Sequence, residues 1–218
     1  MKKYAVVVFD FDGVLTVGGE GLKQQAWDIL VKLWSYSHQQ IFQGQLEKYS
    51  GGKGSRYDIL SETFRLASVD EKDIPLLVDV YADGYNTIVQ RLLEQSGMPE
   101  GMEQVLAELA KGRELFVNSA TPERAVRESV QNFNIAHHFR GIYGRPLSKE
   151  DNLARAQHMA HVDSRLMLFV GDSNGDKKAA KDFGCDFVGV ANEWNRWEKE
   201  RVNFPLISSI AELPKLLA

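Results

Sequence analysis

Two aspartates, Asp10 and Asp12, stand one residue apart in the stretch Val-Phe-Asp-Phe-Asp-Gly-Val-Leu-Thr (residues 8–16), directly after an apolar run. Tyr4 to Phe9 is β-branched and aromatic, with Lys2 and Lys3 on one side and the Asp-rich turn on the other, and reads as a short buried strand. Carboxylates at the C-terminal end of a buried strand repel each other and lose hydration, and a divalent cation offsets that cost most cheaply. Gly13 frees the backbone to turn beside them. Asp-x-Asp-Gly is also ordinary turn chemistry, so the pair must be weighed with the rest of the chain.

Three more groups fall at the ends of apolar segments. Ser119 follows the run 113–118 and precedes a helical pattern that opens at Pro122; a hydroxyl and free backbone N–H groups at a helix N-terminus make an anion site, although Ser119 and Thr121 serve equally as helix caps. Lys149 sits beside the capping Ser148 in the first turn of a helix, where a cation opposes the macrodipole. It is either a surface residue or a cation that neutralises a carboxylate cluster and pairs with a bound phosphate. Gly171-Asp172-Ser173-Asn174-Gly175-Asp176 follows the run 165–170. Its Asp-x-Asn-x-Asp opening resembles a calcium loop, but Lys177 and Phe183 occupy the positions that need Gly and Glu. What remains is a hard-cation site shared with Asp10, of the kind Mg²⁺ makes with one or two carboxylates, waters and substrate phosphate.

The elements that must position these groups alternate. Segments 4–10, 113–118, 165–170 and 186–190 predict strands of one parallel sheet, with a weaker fifth near 140–143. Helical patterns cover Glu100–Lys111 ending at Gly112, Pro122–Phe133 with Thr121 as N-cap, Ser148–His161 with capping-box spacing, and Asn174–Phe183 ending at Gly184. Such alternation indicates an α/β doubly wound, Rossmann-like sheet, with ligands beyond the C-terminal strand ends. Residues 18–97 break the pattern, with helices predicted at Leu22–Gln45, Ser55–Leu66 and Asp73–Gln95. They predict an inserted all-helical domain between core segments 1–17 and 98–218. It joins the core near Thr16–Gly21 and near Gly97–Gly101, where glycines suit hinges.

At 218 residues the chain buries a full core, and its 44% apolar and 26% charged content is that of a soluble globular protein. A net charge of -4 gives no support for a nucleic-acid partner, and no apolar run is long enough to span a membrane. The N-terminal run reads as a first strand and no signal peptide. A single cysteine, Cys185, forms no internal disulfide and points to a reducing, cytoplasmic setting. Nothing in the sequence specifies an oligomeric state.

Taken together, Asp10-Phe-Asp12-Gly-Val, Ser119, Lys149 and Gly-Asp172-x-x-x-Asp176 appear in the order of the four motifs of the haloacid dehalogenase-like superfamily of phosphohydrolases, and the chain resembles that family from residue 4 to about 190. The helical insert is similar to its C1-type cap, as in the phosphoglycolate phosphatase and β-phosphoglucomutase branches. The resemblance implies a Mg²⁺-dependent phosphatase of a small phosphorylated metabolite. Asp10 is then the nucleophile that forms an aspartyl-phosphate, and Asp12 the general acid and base. Ser119, the Ala120 N–H and Lys149 bind the phosphoryl group. Mg²⁺ is held by Asp10, the Asp12 carbonyl and Asp172, with Asp176 behind them. An acid at position 12 argues against the true dehalogenases. The mutase branch typically carries an acidic residue after the Asp pair and an early His; here Thr16-Val17-Gly18-Gly19 follows and the first His is His38, which lowers a phosphomutase reading. A non-catalytic binding protein on the same fold is the third alternative.

Outside the motifs, Gly51-Gly52-Lys53-Gly54-Ser55-Arg56 is a glycine-rich basic loop in the insert. It lacks Walker A spacing, and either Lys53 and Arg56 meet an anionic substrate group or the loop is a solvated turn capped by Ser55. His137-His138 and the pair His158 and His161 have no suitably spaced acidic or cysteine ligand and read as solvated or core histidines. Trp194 and Trp197 either rim the site or pack a late helix, with packing favoured.

Overall fold

The computed structural model describes residues 4–49 and 54–217. The chain divides into two compact units, one formed by Met1–Gly21 with Leu93–Ala218 and one by Leu22–Leu92.

The first unit is a sheet of six parallel strands, β1 (Val6–Phe9), β2 (Glu114–Pro122), β3 (Phe139–Arg145), β4 (Met167–Gly171), β5 (Asp186–Val190) and β6 (Leu206–Ile207), in the order β3-β2-β1-β4-β5-β6. β1 is Val-Val-Val-Phe with every residue buried, as a central parallel strand covered on both faces requires. Its register puts Val6 opposite Glu114 on one side and Met167 on the other. The chain winds outward from β1 through β2 and β3, then returns to place β4 on the other flank. The winding direction therefore reverses between β1 and β4, and the crevice at their C-terminal ends is where such a sheet takes its ligand. Asp10 follows β1 there and Asp172 follows β4.

Four sheet-unit helices, α5 (Met102–Ala110), α6 (Glu123–Asn132), α7 (Lys149–Ala160) and α8 (Asn174–Phe183), connect the strands, and a short α9 (Leu213–Leu217) follows β6. α8 matches its expected bounds and stops at Gly184 in the left-handed conformation, φ +86°. Two other helix ends depart from expectation. α5 stops at Ala110 with Lys111, in the right-handed region, as its C-cap in place of Gly112. β2 runs on through Pro122, so α6 starts at Glu123 and Thr121 is a strand residue instead of a cap. β6 was not expected at all.

The described residues of the insert form four helices joined by turns, with no strand among them: α1 (Gly19–Leu30), α2 (Tyr36–Lys48), α3 (Arg56–Leu66) and α4 (Ile74–Ser96). The helix predicted over Leu22–Gln45 is two helices, because the Ser35 hydroxyl accepts the His38 N–H and starts a new one. α1 also begins at Gly19, which shortens the first linker. Ser55 caps α3 through a capping box with Asp58, as its spacing allowed. The unit's core is aromatic: Trp27 lies 4.0 Å from Tyr85 and 5.1 Å from Phe42 between ring centres, and Trp34 meets Phe42, Phe64 and Tyr81.

Candidate active site

β1 delivers Asp10 and Asp12 to the crevice, and both carboxylates are buried. Gly13 has φ +77°, a conformation glycine adopts without strain, and a Cβ at that position would collide with the carboxylate of Asp172. The glycine is thus needed twice, for the turn and for the close approach of the β4 loop.

That loop is fixed by its own helix start. Ser173 accepts the Asp176 N–H at 3.1 Å, while Asp176 Oδ2 accepts both the N–H and the hydroxyl of Ser173, at 3.0 and 2.5 Å. The capping box leaves the other oxygen of the wholly buried Asp176 for Lys149, whose ammonium also donates to Asp10 at 2.9 Å. Lys149 opens α7 with Ser148 as its N-cap. Asn118, the last residue before Ser119, donates to the Lys149 carbonyl at 2.8 Å and ties the start of α7 to β2. The cation that looked misplaced on its helix therefore bridges two carboxylates.

Ser119 is buried in the C-terminal half of β2, and its Oγ accepts the Thr121 N–H at 3.0 Å. Ala120 between them is exposed. Thr121, read from the sequence as a helix cap, instead donates its hydroxyl to Asp12 Oδ2 at 2.9 Å. Two further residues escaped sequence reading. Asn192 Nδ2 donates to Asp172 Oδ2 at 2.6 Å, and Asn195 Nδ2 donates to the Asp172 and Val190 carbonyls, both at 2.8 Å. The two asparagines also close turns on each other: Asn192 accepts the Asn195 N–H and Asn195 accepts the Asn192 N–H. Only the Asn-x-x-Asn spacing after a strand hinted at this, and its purpose depends on a loop distant in sequence.

The electrostatics of the cluster are unbalanced. One oxygen each of Asp10, Asp172 and Asp176 lie within 4.8 Å of one another, with Asp12 beside them and Lys149 bridging two of the group. Burial, then the charge of Asp176, push the Asp10 carboxyl well above the usual carboxylate range, with Lys149 opposing. Burial and Asp176 push Asp172 up to about 6, against the hydrogen bond from Asn192. Lys149 is held above its ordinary range: its burial works against the charge, and Asp10 and Asp176 outweigh it. Buried carboxylates that disfavour their own ionisation are a donor set suited to a hard divalent cation.

Arg56 is in the helical unit, with its guanidinium 4.9 Å from the Tyr85 ring centre, and Lys53 lies outside the described residues. No helix forms at Trp194 and Trp197. Trp197 packs against Phe187 and Phe204, while Trp194, 53% exposed, lines a cavity of about 240 Å³ with Gly13, Thr16, Gly19 and Asn192. His137 and His138 do find an acidic neighbour, Glu103, contributed by α5.

The chain is similar to known proteins. A phosphoglycolate phosphatase from Pseudomonas putida is 32% identical over 131 residues, which is 57% of this chain but only 45% of that relative's length. A 5'-nucleotidase from Pseudomonas aeruginosa is 25% identical over 211 residues, covering 93% of this chain and 90% of the relative. Among solved structures, YfnB from Bacillus subtilis, determined with magnesium bound, superposes with a TM-score of 0.70 at 16% identity over 99% of both chains, a likeness of fold. The family model for haloacid dehalogenase-like hydrolases matches residues 7–190, and the chain belongs to that family.

Proposed function

We propose that this protein is a Mg²⁺-dependent phosphatase that hydrolyses a small phosphate monoester through an aspartyl-phosphate on Asp10. One observation carries the proposal: Asp10, Asp12, Asp172, Asp176, Lys149 and Ser119 come from distant parts of the sequence to the C-terminal ends of β1, β2 and β4. The related phosphoglycolate phosphatase and 5'-nucleotidase support a monoester of a small metabolite. Mg²⁺ fits the carboxylate set. Asp10, the Asp12 carbonyl and Asp172 would hold it, with Asp176 supporting from behind, and when bound it neutralises phosphoryl charge.

An Asp10 oxygen attacks phosphorus as the bond to the leaving oxygen breaks, and Asp12 gives that oxygen its proton. The Thr121 hydroxyl, donating to Asp12 Oδ2, orients that carboxyl for the transfer. Water then attacks the phosphorus of the aspartyl-phosphate and returns its proton to Asp12; free phosphate leaves and Asp10 is regenerated. Ser119 and the Ala120 N–H cradle the phosphoryl oxygens, and Lys149 offsets the charge of Asp10 and of the transferring group. We assign the helical insert, residues 18–97, the role of a cap that selects substrate, with Lys53 and Arg56 as its anion-facing residues. The lone Cys185 suits work in the cytoplasm.

The test is phosphate release from a panel of metabolites and an aryl phosphate, with and without Mg²⁺. Mg²⁺-dependent release is the expected result. An isomerised sugar phosphate without release would make the protein a phosphomutase, and binding without turnover would make it a binding protein.

A further inference from the structure

We propose that Glu103, His137 and His138 form a second metal site, for a borderline divalent ion with Zn²⁺ as its best match. The histidines are consecutive in a 3-10 turn at Ala136–His138 just before β3, and Glu103 lies in the first turn of α5. The fold brings them to one point. Glu103 Oε1 is 2.7 Å from His138 Nε2 and 3.6 Å from His137 Nε2, and the three ligand atoms lie within 4.8 Å of one another.

Tetrahedral coordination at about 2.0–2.1 Å separates neighbouring donors by roughly 3.3 Å, between the two observed separations. A shift of a few tenths of an ångström at the exposed His137 would let an ion replace the proton that His138 and Glu103 share. Two imidazoles and one carboxylate favour Zn²⁺ over Mg²⁺, which prefers oxygen ligands throughout. The chemistry of this site is thus opposite to that of the all-carboxylate cluster at the sheet crevice, and the two sites select different ions. His137 and Glu103 are exposed while the His138 side chain is largely covered, so the ion has a solvent approach and an open position for water. An ion here joins the start of α5, whose N-cap Gly101 offers no side-chain bond, to the turn that feeds β3.

The experiment is a calorimetric titration of the full chain with Zn²⁺ in excess Mg²⁺, repeated on His137→Asn and Glu103→Gln. Zn²⁺ binding should survive Mg²⁺ and weaken at least about tenfold in each variant. His137 is a surface side chain, so its variant keeps the fold. In parallel, Zn²⁺ should move the NMR ring signals of His137 and His138 and leave those of His158 and His161 in place. Binding that is unchanged in both variants, or that Mg²⁺ abolishes, overturns the proposal. Unmoved His137 and His138 signals also overturn it.

Discussion

The helical unit and the sheet unit differ in what their most conspicuous cluster of side chains does for stability. In the helical unit Trp27, Trp34, Phe42, Phe64, Tyr81 and Tyr85 interlock, and large apolar rings supply the stability. In the sheet unit a mixed core of aliphatic side chains with Phe116, Tyr143 and Phe169 carries, at one end, carboxylates whose ionisation burial opposes. One unit therefore gains stability from its most conspicuous cluster, and the other loses some to it. Cores that hold a charged site at a strand end store a cost that substrate and metal later relieve.

The contrast can be broken residue by residue. Asp10→Asn should lower phosphate release by on the order of 10⁴-fold or more, since it removes the proposed nucleophile. Without Mg²⁺ its Tm should hold or rise, because a disfavoured buried charge is gone. A lower Tm with activity intact would reverse both assignments. Trp27→Ala should do the converse and destabilise the protein by about 3–5 kcal/mol in a denaturant titration. Asn195→Ala removes the side-chain bond to the Asp172 carbonyl together with the one to Val190, and calorimetry should show Mg²⁺ affinity down by about 10–100-fold.

Asp172 adds a pH test. Its carboxyl is raised on folding from 3.8 to about 6, so the folded protein favours the protonated form. Ionisation then costs stability as pH rises through that window, and the cost is complete above about 6. Thermal melts in chelator should show that loss. Mg²⁺, which needs the ionised carboxylate, should reverse the slope and stabilise most above the window. The smallest effect is expected for Thr121→Val, about tenfold in kcat, with the acidic limb of the pH–rate profile displaced because Asp12 has lost its donor. An unmoved profile would reduce Thr121 to a packing residue.

Much of the sheet unit was legible because its signals are local. An unbroken Val-Val-Val-Phe run, a capping Ser173 and a terminal Gly184 each announce their structure within a few residues. Asp10, Asp12, Ser119, Lys149 and Asp172 could be singled out because each stands where a predicted strand or loop ends. The supporting residues could not. Thr121 has the same local sequence whether it caps a helix or donates to Asp12, and only the bulged pairing of β2 with β3 decides. Asn192, Asn195 and Asn118 act on residues of other elements. Glu103 meets His138 through packing that no spacing encodes. β6 is two residues long, too short for a period to show. The break between α1 and α2 depends on one serine choosing a cap over a helix interior.

The pairing of β1 bears on how the chain is made. Its Val6 bonds beside Glu114 and Met167, so both neighbours of the central strand are synthesised long after it. During translation β1 waits as an apolar segment with two open edges, while the helical residues that follow it can already collapse on their aromatic core. The helical unit should therefore form first, and the first strand is the segment most exposed to misassociation until β4 emerges.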